Sequence, residues 1–281
     1  ESGYCFAPIG VMKGRVEFSA QRGGNDCELW TSDGSPAGTR LVADLAPVGG
    51  SFPEGFSKVG DLTYFNAITP NRGRELWVTD GTALGTRALE ETVPGTAPSF
   101  LSPIGAIGGR FVFLVLEGER LIPFVTDGSP GSMRALTRDF LGDVLSNSWN
   151  VGDRLFFETL GPRGEDLRVT LWMTGGSPET TVQVASFLVD SLTETRLAVW
   201  GDRLALGADL GDGLGDEPAV VLPNGLGVER LADLHAGPRG SLPRDLTPVA
   251  RRMFFTAEDE EASSRLFRSA GTPASTVVIN Q

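Results

Sequence analysis

Apolar and polar positions along the chain fall in short bursts and not in helical stripes. Between residues 75 and 89, the aromatic and β-branched run Leu76-Trp77-Val78 is closed by Asp80 and Gly81, and Thr86-Arg87-Ala88-Leu89 follows. A continuous apolar burst bounded by turn formers reads as a strand covered on both faces, since a half-exposed strand would alternate. Asp80 can accept from an amide two residues on, and Gly81 and Gly85 can adopt positive φ. Asp80 to Gly85 therefore reads as a hairpin loop that leads into a partner strand. No helix-period run of useful length occurs in the chain.

The stretch Glu75 to Thr86, ELWVTDGTALGT, stands again at Glu28 to Thr39 as ELWTSDGSPAGT. With the Trp position as marker, the chain offers Trp30, Trp77, Phe124, Trp172, Val221 and Phe267, at intervals of 47, 47, 48, 49 and 46 residues. A second apolar marker, five positions after a turn, keeps nearly the same spacing in Phe18, Phe65, Phe113, Phe157, Leu206 and Phe255. The recurring aromatic reads as core, because aromatics dominate burial. The loop after the Trp strand erodes from Asp33-Gly34-Ser35 and Asp80-Gly81-Thr82 to Ala270-Gly271-Thr272, and only glycine persists. That is the behaviour of a structural motif in which backbone conformation matters more than side chain.

Each unit holds four strand signals, for instance Gly55 to Val59, Leu62 to Ala67, Glu75 to Thr79 and Thr86 to Glu90. Four antiparallel strands in about 47 residues is the size of a propeller blade. The predicted fold is all-β: one six-bladed β-propeller over residues 1–281, with blades at about 1–46, 47–94, 95–141, 142–190, 191–238 and 239–281. Pro/Gly-rich passages such as Pro47 to Phe52 and Pro94 to Pro98 would cross between blades. A first-strand signal near Tyr4 to Gly10 and a fourth-strand signal at Thr276 to Asn280 suggest complete blades, closed by packing or by an end strand swapped into its neighbour.

The pattern Glu-Leu-Trp-x-Thr/Ser-Asp-Gly-Thr/Ser-x-x-Gly-Thr resembles the repeat of bacterial secreted and cell-surface proteins, abundant in myxobacteria and labelled hyalin-like. It is sharp in the first two units and eroded in the other four. The resemblance implies a repeat propeller outside the cytoplasm and supplies no common catalytic motif.

Charge narrows the partners. A net charge of −12 disfavours nucleic acid and anionic membranes, which reward basic patches. No apolar run approaches the roughly 20 residues of a membrane span, and a secreted form is expected to have lost its signal already. The two cysteines, Cys5 and Cys27, fall at one end of the first unit. They either form a disulfide typical of an oxidising compartment or remain two buried thiols.

In a four-strand meander, the loops joining second to third strands share an end with the crossings. They differ strongly here: Gln21 to Asp26, Thr69 to Arg74, Glu117 to Arg120, Gly161 to Arg168, Asp209 to Glu217 and Glu258 to Ser264. Varied loops on a fixed scaffold are where binding specificity lives. Asp209, Asp212, Asp216 and Glu217 could wrap a calcium ion with oxygen ligands, and Glu258 to Glu261 form a second acidic run; solvated acidic loops are the competing reading. No cofactor is required by any motif, and calcium is the optional one.

His235 is the sole histidine, so a Ser-His-Asp triad would depend on it alone, and an ordinary surface histidine is the plainer reading. Trp149 and Trp200 occupy neither marker. They lie near first strands that would line a central channel, as core residues or as a platform for a sugar or peptide. These features together point to a secreted or cell-surface binding module for a protein or carbohydrate of the cell envelope. The alternative is a polysaccharide hydrolase or lyase using channel-facing carboxylates.

Overall fold

The computed structural model describes residue 5 and residues 10–24, 26–91, 101–117, 120–138, 143–160, 168–188 and 196–279. The expected crossing Pro94 to Pro98 lies outside the described residues, as do all but the last residue of the loop Gly161 to Arg168. So do 118–119 in the loop Glu117 to Arg120, Asn25 in the loop Gln21 to Asp26, Asn280, and most of Tyr4 to Gly10.

The described chain is built of antiparallel strands in chain order. The first sheet holds β1 (Gly10–Met12), β2 (Arg15–Gln21), β3 (Cys27–Ser32) and β4 (Arg40–Ala43). The second holds β5 (Glu54–Val59), β6 (Leu62–Thr69), β7 (Gly73–Thr79) and β8 (Arg87–Ala88), and the third β9 (Leu101–Ile107), β10 (Arg110–Glu117), β11 (Arg120–Thr126) and β12 (Arg134–Ala135). The strands β13 (Asp143–Val151), β14 (Arg154–Leu160), β15 (Arg168–Thr174) and β16 (Val182–Leu188) are continuous with β17 (Leu197–Trp200), β18 (Arg203–Asp209), β19 (Asp216–Val221) and β20 (Val228–Arg230). A last sheet holds β21 (Arg244–Val249), β22 (Arg252–Glu258), β23 (Ser264–Ser269) and β24 (Val277–Val278).

This corrects the expected six-bladed propeller. The described residues form five open sheets, one of them eight-stranded and none closed, where the repeats predicted six separate four-stranded blades joined in a ring. The merger rests on one pairing: β17 pairs with β18 from Arg203 to Leu206, Gly207 N donates to the Arg196 carbonyl, and Leu188 of β16 pairs with Asp209 at the end of β18.

Register supports the repeat itself. Phe18 faces Trp30, Phe65 faces Trp77, Phe113 faces Phe124, Phe157 faces Trp172 and Phe255 faces Phe267 as cross-strand partners. The fifth pair departs from expectation, because Leu206 faces Ala219 and Val221 lies two residues further along the strand. Alanine at the aromatic position hid the register, and with Ala219 restored the marker intervals become 47, 47, 48, 47 and 48.

The chain forms two compact units, Glu1–Phe140 with Gly176–Pro178, and Leu141–Gly175 with Glu179–Gln281. In the first, Leu29, Val42 and Leu45 pack on Phe65 and Ala67, and a second core joins Tyr64, Val78, Phe111, Phe113 and Phe124. In the second, Phe156, Leu171 and Phe187 pack with Leu197, Leu204 and Leu206, while Trp200 and Ala205 pack with Met253, Phe255 and Phe267. Each core therefore lies between successive repeats, and a repeat buries its apolar face only against its neighbour.

Candidate functional site

The recurring Asp-Gly-Thr loops are closed on themselves. Asp80 Oδ1 accepts from Thr82 N and Oγ1, Thr79 Oγ1 accepts from Gly81 N, and Thr86 Oγ1 donates to the Thr82 carbonyl. The same bonds recur at Asp33, Ser35, Ser32 and Thr39. Gly81 and Gly34 sit at φ 87° and 89°, so the persistent glycine answers a left-handed backbone. Hydrogen bonding to Ser35 and Thr82 holds the Asp33 and Asp80 carboxyls below their ordinary range. With their polar groups committed internally, these loops are turn chemistry and not reaction chemistry.

At the opposite end of the sheets, buried glutamates fasten the crossings. Glu28, fully buried in β3, accepts from Leu45 N at 2.8 Å, Ala46 N at 3.3 Å, Ser51 N at 3.2 Å and Ser51 Oγ at 2.6 Å. Glu217 in β19 repeats this, accepting from Leu234 N at 3.0 Å, His235 N at 3.2 Å and Ser241 Oγ at 2.7 Å. Backbone bonds complete the match: Ser51 N and Phe52 N donate to the Cys27 carbonyl, as Ser241 N and Leu242 N do to that of Asp216. Burial raises both glutamate pKa values, and the donated hydrogen bonds oppose it. Glu75 holds the same register position, opposite Ala67 as Glu28 is opposite Ala20 and Glu217 opposite Ala208.

The four carboxylates proposed for calcium are not gathered at one point. Asp212 accepts from Arg230 at 2.7 Å through both oxygens, Asp209 Oδ1 accepts from Gly211 N at 2.8 Å, and Asp216 forms a buried ion pair with Arg196. Glu217 is the loop clamp just described. Among the described residues, no group of three or more His, Cys, Asp or Glu side chains is placed to hold a metal. The arginine beside Asp212 lowers its pKa, which is how a solvated ion pair behaves.

Cys5 and Cys27 form the disulfide, with Cα atoms 5.7 Å apart. It tethers the start of β3 one residue before Glu28. In the fifth repeat the residue before the clamp is Asp216, and its tie is the ion pair to Arg196. One place in the repeat thus carries a covalent or an ionic cross-link.

The second acidic run borders a groove. Asp259 turns its own loop, accepting from Glu261 N, Ser263 N and Arg265 Nε, and the arginine holds its carboxyl low. Leu234, Phe267 and Val278 with Asp259, Glu260, Glu261 and Arg265 line a cavity of about 390 Å³. His235 donates from Nδ1 to the Asp259 carbonyl at 2.7 Å, and Ala236 N donates to Glu260 Oε1 at 3.2 Å. The histidine thus ties the crossing to the acidic loop. Its partner is a backbone carbonyl, whereas a triad needs a carboxylate there.

Trp149 is half-buried against the core of the eight-stranded sheet. Trp200 is 6% exposed, belongs to the core shared with the last sheet, and still lines a cavity at the turn end. The structure does not bring the two tryptophans together in either cavity described. The groove and the glutamate clamps escaped sequence reasoning, although Glu28 and Glu75 in the repeated Glu-Leu-Trp carried the signal for the clamps.

No family model and no curated protein sequence matches the chain. Among solved structures it is similar to a puromycin-hydrolysing peptidase of Mycobacterium tuberculosis, at 16% identity and TM-score 0.45 over 99% of this chain and 45% of that one. It is similar also to TolB from Acinetobacter baumannii, at 12% and 0.38 over 97% and 65%, and to the tricorn protease, at 12% and 0.36 over 98% and 26%. The chain spans less than two thirds of each. At these TM-scores the likenesses carry no argument about activity.

Proposed function

We propose that the protein is an extracytoplasmic binding module that holds a protein or carbohydrate of the cell envelope against the loops joining second and third strands. The groove of Leu234, Phe267 and Val278 is its contact surface. The observation that carries this reading is the way the groove is built: an apolar floor beside a loop whose shape is set by Asp259, on a crossing pinned by Glu217 and His235. A surface held in place before a ligand arrives loses less entropy on binding. Glu261 on the rim suits a peptide that presents an apolar side chain beside a basic one. The disulfide is compatible with an oxidising compartment. The hydrolase or lyase alternative needs a carboxyl held protonated beside a second one; the groove carries Asp259, Glu260 and Glu261, but Arg265 holds Asp259 low, and the glutamates raised by burial, Glu17, Glu28, Glu158 and Glu217, line neither cavity described.

The test is retention of envelope components on the immobilised full chain against a Val278→Asp variant, Val278 being 43% exposed and harmless to the core. A component held by the wild type and released by the variant supports the reading. Equal retention by both, or turnover of an envelope polysaccharide without retention, refutes it.

A further inference from the structure

The turn end of the last two repeats carries a second, chemically different cavity. In the third and fourth repeats, the arginine that opens the second strand secures the next glycine loop: Arg110 donates to the Gly176 carbonyl at 2.7 Å, and Arg154 donates to the carbonyl of Pro223. Arg203 opens β18 in the same way, but makes no such bond. Its one ion pair among the described residues is a 4.0 Å contact with its neighbour Asp202, which is 91% exposed. Instead a cavity of about 270 Å³ opens there, lined by Trp200, Arg203, Ala250, Arg251 and Ala270 among others.

Glycine at 271 makes room for this arrangement. It sits at φ 96°, and a Cβ there would lie 2.7 Å from Arg203 Nη1 and 3.4 Å from Trp200 Cη2, so guanidinium and indole lie side by side beneath the loop. Arg251 stands exposed in the turn between β21 and β22. Arg203 and Arg251 line this cavity with Asp202 as the one acidic residue among them, so the lining is net positive on a chain of net charge −12.

We propose that this cavity is a binding site for a carboxylate-bearing monosaccharide unit, a uronate. The Arg203 and Arg251 forks receive the carboxylate, and the sugar's C–H face rests on the exposed Ala250 and Ala270 and the edge of Trp200. Planar, charge-assisted pairing is what an arginine fork supplies to a carboxylate. The apolar half of the lining gives a sugar ring what a bare anion does not use. The site lies at the other end of the last sheet from the groove of the proposed function, and stands or falls separately from it.

The experiment is titration of the full chain with glucuronate, with glucose and inorganic phosphate as controls, followed through the amide resonances of Gly201, Ala250 and Ala270 and by calorimetry. Saturable shifts with glucuronate, at least tenfold weaker with glucose and with phosphate, are expected. Arg203→Gln and Arg251→Gln should each weaken glucuronate about tenfold, the loss typical of one charge-assisted hydrogen-bonding partner. An oligouronide that binds as well as the free sugar would identify the natural source as a chain terminus, and one that fails to bind would identify it as the free acid. Phosphate binding as well as glucuronate, variants that bind like the wild type, or no saturable shift overturns the proposal. Val278→Asp should leave all of these shifts unchanged, so failure here and failure of the groove are told apart.

Discussion

Glu158 makes the stability of the second unit depend on pH in a direction opposite to ordinary acid denaturation. It lies in the middle of β14, 5% exposed, with Leu171 as its cross-strand partner. The register of β13 slips opposite it, from Val144 facing Thr159 to Ser148 facing Phe157, and the bulge brings Asn147 within hydrogen-bonding reach. Burial pushes the carboxyl from 4.5 up to about 7, and the bond from Asn147 offsets only part of that. The folded protein therefore holds a proton that the unfolded chain releases. The resulting stabilisation is fully present below pH 4.5 and is lost as pH rises through about 7. At 1.36 kcal/mol per pH unit, the loss between pH 4.5 and 8 is about 3 kcal/mol. Glu158→Gln keeps the shape and a hydrogen bond to Asn147 but cannot ionise. Urea unfolding of both proteins from pH 4.5 to 8 should show a stability gap that widens in favour of the variant by about 3 kcal/mol. Other carboxylates cancel in that comparison. Parallel curves, with a gap constant to about 0.5 kcal/mol, would show that Glu158 reaches solvent and is charged when folded.

Three further perturbations follow from the same geometry. Ser241→Ala removes the 2.7 Å bond to Glu217 and should cost about 1–2 kcal/mol, with faster amide exchange at Leu234 and His235, whose donors share that carboxylate. Replacing Cys5 and Cys27 together by alanine frees a loop with a sequence separation of 22 and should cost about 3 kcal/mol, read as a lowered Tm that added reductant no longer changes. Gly85→Ala would place a Cβ 2.0 Å from Asp80 Oδ1 and should cost about 1 kcal/mol or more, whereas Gly23→Ala, with nothing within 4 Å, should be silent; thermal melting of the pair checks both.

Much of the strand pattern was legible because turn chemistry is local. Asp80, Gly81 and Thr86 bond within their own loop, so their spacing survives as text, and the apolar run at Leu76 to Val78 marks its strand without help from elsewhere. The fifth register was misread because Val221 has the apolar character the marker demands and Ala219, the residue in register, does not stand out. The merged eight-stranded sheet was invisible for another reason: it turns on a single long-range pairing, Leu188 with Asp209, that no local pattern marks. The acidic stretch Asp209 to Glu217 reads as a cation loop by composition, but Arg196, just before β17, and Arg230 on β20 claim Asp216 and Asp212. The unbonded state of Arg203 likewise shows only against Arg110 and Arg154 in place.

The glutamate clamp sets where this chain can be cut and rejoined. Glu28 belongs to one sheet while Ser51, its partner, stands at the entrance to the next, and Glu217 and Ser241 are divided in the same way. A deletion or duplication drawn at sheet boundaries would separate each carboxylate from its own serine and leave it to the serine of whichever repeat came next. Shuffled repeats should therefore be compatible wherever the incoming segment brings a serine at that place, and should fail where it does not, whatever the likeness of their strands.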